Sequence, residues 1–131
     1  MAITKDFNRQ DLTVATVDIK LADLTSGVAS NVAMDLPPNS VVDSGTLVVT
    51  EAFNSTLSDV IDVGDATTGN RYLAGGNIQA TGLVALVPTG FIGTGEGLVV
   101  KWTSGGGTPT TGKLRLVVKY YILGRSEETL G

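Results

Sequence analysis

At 131 residues, with 42% hydrophobic and 5% aromatic side chains, the chain has the size of one domain and enough apolar surface to close a single core. Nine basic residues against 13 acidic ones give a formal net charge of −4, which argues against duplex nucleic acid as the main partner. Cysteine and histidine are both absent, so disulfides, thiolate and imidazole metal sites and every nucleophile–histidine triad are excluded.

The chain opens with MAITKDFNRQD, which has no apolar h-region and is not a signal peptide. Residues 1–11 lack alternation and are expected to form an N-terminal arm; residues 12–124 form a β-sandwich domain, and residues 125–131 a C-terminal tail. No stretch approaches the ~18 uninterrupted apolar residues of a membrane helix, so the expectation is a soluble protein made in a cytoplasm.

The dominant period is two. Val17, Ile19 and Leu21 alternate with Asp18 and Lys20, the signal of a half-buried strand. Residues 31–36 predict a second short strand, stopped by Pro37 and Pro38. Residues 42–53 predict a third, with Leu47, Val49 and Phe53 on one side and Thr46, Val48 and Thr50 on the other. Residues 59–64 set Ile61 and Val63 opposite Val60 and Asp62. Further strands are predicted over 71–74, 78–87, 97–103 and 113–123. The connectors LPPNS, GDATTGN, GFIGTGEG and TSGGGTPTTG concentrate Gly, Pro, Asn, Asp and Thr, each suited to turns. About eight antiparallel strands, each with one buried and one wet face, predict an all-β two-sheet sandwich. A jelly roll is favoured, with an immunoglobulin-like sandwich as the other possibility.

One stretch raises the question of a chemical site: VIDVGDATTGNRYLAGG, residues 60–76, with Asp59 just before it. A calcium loop needs oxygen ligands at alternate positions closed by a bidentate Glu. Here the aspartates are three apart, no Glu follows until Glu96, and Asp59 and Asp62 point to opposite faces of a strand. A phosphate loop needs glycines leading into a helix, whereas Asn-Arg-Tyr-Leu follows Gly69. The favoured reading is a strand end, a turn over 64–70 and re-entry at Arg71, with Asp65 pairing to Arg71 across the turn.

Lys113, Arg115 and Lys119 share one face of the last strand, and Lys101 lies on a neighbouring predicted strand. They are either a solvated face or a patch that meets an acidic partner surface. Trp102 follows Leu98 and Val100 in the alternation and is expected in the core; a chain with three Phe, three Tyr and one Trp offers a poor sugar-stacking platform. The candidate catalytic carboxylates are Glu51 and Glu96, with Glu127 and Glu128 in the tail. No motif pairs them, so the expectation is a protein that is not an enzyme and has no cofactor and no metal.

Taken in order, VDIKLADLTSGVASNVAMDLPPNSVVDSGTLVVTEAFN, SDVIDVGDATTGNRYLAGG and LVVKWTSGGGTPTTGKLRLVVKYYILGR resemble the jelly-roll cement or decoration proteins of podophage-like heads, over roughly residues 17–125. The resemblance is one of texture and order rather than of a strict motif. It implies a bacteriophage virion protein on the outer surface of the head, made in the bacterial host cytoplasm, that binds the major capsid protein and bridges capsomers. It also implies a homo-oligomer, dimer or trimer, with no nucleic acid or membrane partner. The residues expected to meet the partner are Phe7 and Arg9 in the arm and Lys113, Arg115 and Lys119 on the last strand. The alternative is a host-surface or glycan-binding module of a fibre or tail.

Overall fold

The computed structural model describes Ala2 and residues 9–125. Eight strands follow in order: β1 (Thr13–Lys20), β2 (Pro38–Glu51), β3 (Asp59–Gly64), β4 (Leu73–Asn77), β5 (Gly82–Ala85), β6 (Ile92–Thr94), β7 (Val99–Ser104) and β8 (Lys113–Ile122). All pair antiparallel. Five make one sheet, in the order β1-β8-β2-β5 with β6 also on β2, and three make the other, in the order β4-β3-β7. The expected all-β two-sheet sandwich is what the chain forms.

Alternation drives the layering. Ile19, Leu47, Val49, Leu114, Leu116 and Val118 of the larger sheet face Ile61, Val63, Val100 and Trp102 of the smaller one. Each fully buried Leu or Ile contributes roughly 1.5–3 kcal/mol by leaving water. Phe53, Ile78, Leu86 and Leu98, carried by connectors, close the ends of the core. Phe53 and Trp102 pack with ring centroids 5.7 Å apart and tilted by 49°. The alternation of β2 breaks where the register with β8 shifts between Val42 and Ser44 and again between Val49 and Glu51, so Asp43 and Thr50 are bulge residues.

Three predicted elements differ. The strand predicted over residues 78–87 is confined to β5, Gly82–Ala85. Residues 31–36 are not a strand; the chain from Gly27 to Met34 instead runs along the outer edge of β7. It is held there by Gly27 N–H to Trp102 O (2.8 Å), Ser30 N–H to Val100 O (2.7 Å), Ala33 N–H to Leu98 O (2.8 Å) and isolated bridges at Ala29–Lys101 and Met34–Leu98. Ser30 and Ser26 hydroxyls accept from Val100 and Ser104 N–H in place of main-chain carbonyls, which keeps the segment from a regular ladder. Conversely, residues 90–97, expected as a turn, contain β6, whose Ile92 and Thr94 pair with Val41 and Pro38. Pro38 opens β2, where its missing N–H costs no interior ladder bond. The turn from Pro37 to Ser40, closed by Ser40 N–H to Pro37 O at 3.3 Å, sets Asn39 at φ 65°, a conformation Asn tolerates.

Candidate partner-binding surface

The corner at residues 59–76 is built from satisfied polar groups. Asp59, 0% exposed on the core face of β3, accepts four hydrogen bonds. Ser55 Oγ (2.6 Å) and Trp102 Nε1 (2.8 Å) donate to Oδ1, and Ser55 N–H (2.9 Å) and Gln79 Nε2 (3.0 Å) donate to Oδ2. Burial alone would raise its pKa, but these donors overcome that and hold the carboxyl below the ordinary carboxylate range. Asp62 faces outward and accepts from Gly75 N–H at 2.7 Å. Asp59 and Asp62 therefore do point to opposite faces.

Asp65 begins the next turn, its Oδ1 accepting from Thr67 and Thr68 N–H at 3.0 and 2.7 Å. Its Oδ2 pairs with Arg71 Nε at 2.6 Å, the ion pair expected across the turn. Burial opposes ionisation here too, and the Arg71 and turn hydrogen bonds again win, holding Asp65 low. The Arg71 guanidinium lies over the Phe91 ring at 3.5 Å and also reaches Thr68 Oγ1 at 3.2 Å. The turn folds so tightly that a Cβ at Gly64 would overlap the Thr68 carbonyl. Residues 60–76 are thus two strand ends and a corner. Among the described residues no group of three or more acidic side chains is arranged to hold a metal ion, and no helix is long and apolar enough to cross a membrane.

Of the candidate carboxylates, Glu51 and Glu96 stay apart, and Glu127 and Glu128 lie outside the described residues. Glu51 ends β2 and accepts from Gly112 N–H at 3.0 Å. Glu96 lies beyond β6, which pairs with the Pro38 end of the same 14-residue strand, and accepts from Thr67 Oγ1 at 3.0 Å.

The basic residues are brought together as expected on β8. Lys113, Arg115 and Lys119 alternate with buried Leu114, Leu116 and Val118 and stand on the outer face of the five-stranded sheet. Arg115 Nε binds Asp18 Oδ1 of β1 at 2.9 Å, both side chains being well exposed. Lys101 does not join them: it sits on β7, in register with Asp62, on the opposite side of the sandwich. Sequence reasoning missed Lys20, which β1 places directly opposite Lys113. It also missed two apolar members of the face, Val14 beside Lys119 (55% exposed) and Leu83 opposite Val48 (74% exposed). Arg9 is exposed, and Phe7 lies outside the described residues.

No family model matches the chain, and no curated protein matches its sequence. Two solved structures do. A chain of the cyanophage Pam1 capsid asymmetric unit superposes with a TM-score of 0.68 at 20% identity, covering 93% of this chain and 91% of that one. A chain of the capsid of Ralstonia phage GP4 superposes with a TM-score of 0.55, also at 20% identity, covering 93% and 90%. At that identity the likeness shows a shared fold.

Proposed function

We propose that this chain is a phage virion structural protein that binds the outer surface of the head and stabilises it by bridging neighbouring capsomers. The observation that carries the reading is the fold shared, over nearly its whole length, with chains of two phage capsids. A jelly-roll assignment is supported by the sheet order: β1-β8-β2-β5 faces β4-β3-β7, and the segment from Gly27 to Met34 lies on β7 where a fourth strand would stand. The major capsid protein is the partner. Lys113, Arg115 and Lys119 offer it charge, Val14 and Leu83 offer apolar contact, and the arm at residues 1–11, with Phe7 and Arg9, offers a second grip. Residues 12–124 are the sandwich and 125–131 a tail.

A rigid module set across subunit junctions shares strain among several contacts when packaged DNA presses outward, and modest interfaces become strong when several act together. No catalysis is needed for that role. Closed symmetry favours a dimer or trimer at capsid symmetry positions. The chain is made in the bacterial host cytoplasm and ends on the virion. Co-sedimentation with purified heads lacking the chain tests this. Saturation at a fixed stoichiometry is expected, weakened by deleting residues 1–11 while circular dichroism stays unchanged; absence of saturable binding to heads overturns it.

A further inference from the structure

Among the described residues, no strand lies beyond the outer edge of β1. Leu21 N–H donates to Gly112 O at 3.0 Å, toward β8, whereas Lys20 N–H turns away and donates to Asp23 Oδ2 at 2.9 Å. Because successive residues of an antiparallel strand alternate their hydrogen-bonding side, Thr13, Ala15, Val17 and Ile19 exchange with β8. Val14, Thr16 and Asp18 turn their N–H and C=O groups outward, and no described residue takes them up.

Natural sheets usually blunt such an edge with proline, a bulge, brevity or a covering segment. Here β7 is covered by the run from Gly27 to Met34, and β4, β5 and β6 are five, four and three residues long. By contrast, β1 is eight residues of TVATVDIK with no proline, no bulge and, among the described residues, no covering segment. Beside it lies a cleft of about 320 Å³ lined by the apolar Val17, Ile19, Leu24 and Val100 and by the polar Asp18 and Asp23 among others. It stands where the inward side chains of one added strand would fall.

Charge says what kind of strand. Lys20 and Lys113 are directly opposite in a non-hydrogen-bonded pair, where Cα atoms stand ~4.5 Å apart and side chains are closest. Like charges so placed destabilise a sheet. The nearby acids are engaged elsewhere: Asp18 with Arg115, Glu51 with Gly112 N–H, Asp23 with Lys20 N–H. Neither lysine has an ion pair among the described residues. A second copy paired edge to edge about Thr16 would set Lys20 against Leu12 and leave the repulsion in place.

We infer that the β1 edge, with Lys20 and Lys113, is a docking site for an extended, acidic segment of a partner protein. That segment adds to the five-stranded sheet as a further strand, bonding Val14, Thr16 and Asp18 main-chain groups. Its inward apolar residues fill the cleft, and an outward carboxylate pairs with the Lys20 ammonium and draws it away from Lys113. The site stands independently of the head assignment, because it is tested on the isolated protein.

The test is an amide-resolved NMR titration with the peptide Ac-TVEVEVT-NH2 and its lysine counterpart Ac-TVKVKVT-NH2. The acidic peptide is expected to shift the Val14, Thr16 and Asp18 amides and slow their hydrogen exchange, binding roughly tenfold more tightly than the basic one. Lys20→Glu should erase that preference. Thr16→Pro should abolish binding with the circular dichroism intact, since the lost N–H points out of the ladder. Edge amides unmoved by either peptide, equal affinity for both, or a dimer in which those amides are already protected would overturn the inference.

Discussion

Trp102 of β7 reaches across the small sheet to Asp59 of β3, its indole N–H donating to Oδ1 at 2.8 Å inside the core. A buried carboxylate is tolerable only when its lone pairs are filled, and here Ser55 and Gln79 supply the remaining donors. The network ties the loop before β3, the segment after β4 and β7 to one point. Asp59→Asn keeps the size but sets an NH2 group against two existing donors. It should destabilise the fold by about 2–4 kcal/mol in denaturant titration. A double-mutant cycle with Trp102→Phe should show coupling of about 1 kcal/mol or more.

The same carboxylates set the pH dependence. Asp59 and Asp65 both have folded-state pKa values below their ordinary 3.8. Each contributes stability that is fully present above the unfolded value and is lost as pH falls through the lower folded one. Thermal midpoints should therefore be flat near neutrality and drop below about pH 4. The Asp59→Asn variant should start lower but show a shallower acid slope. At the other extreme, burial raises the pKa of Tyr72 above 10.0, with Asp65 and Glu96 adding to the rise and Arg71 opposing it. Its contribution persists through mild alkali and is lost as pH climbs through that raised value.

Arg71 and Asp65 form a pair whose side chains are only 16% and 4% exposed. Removing one partner strands the other charge in a poorly solvated site. Arg71→Ala should cost about 2–4 kcal/mol, from the lost pair and the lost stacking on Phe91. Arg71→Lys should recover part of this, since an ammonium restores charge but not the fork geometry. Chemical denaturation of the three proteins side by side gives the comparison.

Lys20 facing Lys113 makes a prediction of opposite sign. Lys20→Glu converts a repulsive cross-strand pair into an attractive one and should stabilise the protein by about 0.2–1 kcal/mol at low salt. The gain should shrink as salt is raised, which a thermal melt series at increasing sodium chloride would show. An unchanged or lowered midpoint would mean the two ammonium groups do not repel in the folded state.

Much of the architecture was legible because alternation is a local property. Strand β3 was predicted with its observed bounds, β8 ran one residue too long, and the Asp65–Arg71 pair followed from their placement about one turn. What depends on partners distant in sequence was not legible. Residues 31–36 alternate like a strand, yet serine hydroxyls supply acceptors to β7, and only the folded chain shows it. Three residues around Gly93 carry no period, so β6 was hidden in a glycine-rich turn. Alternation assigns a residue to a face but not to a sheet, which is why Lys101 was grouped with Lys113, Arg115 and Lys119. Register decides the rest: that Lys20 meets Lys113, and that Asp59, on the same face as Ile61 and Val63, finds Trp102.

The central claim is a structural role on the outside of a phage head, and cryo-electron microscopy of virions carrying this chain tests it most directly. The account predicts density for the two-sheet sandwich at symmetric positions outside the shell, spanning subunit boundaries, with the outer face of the five-stranded sheet or the N-terminal arm against the capsid protein. Heads with bare outer surfaces, or the sandwich found only in the tail, would contradict it.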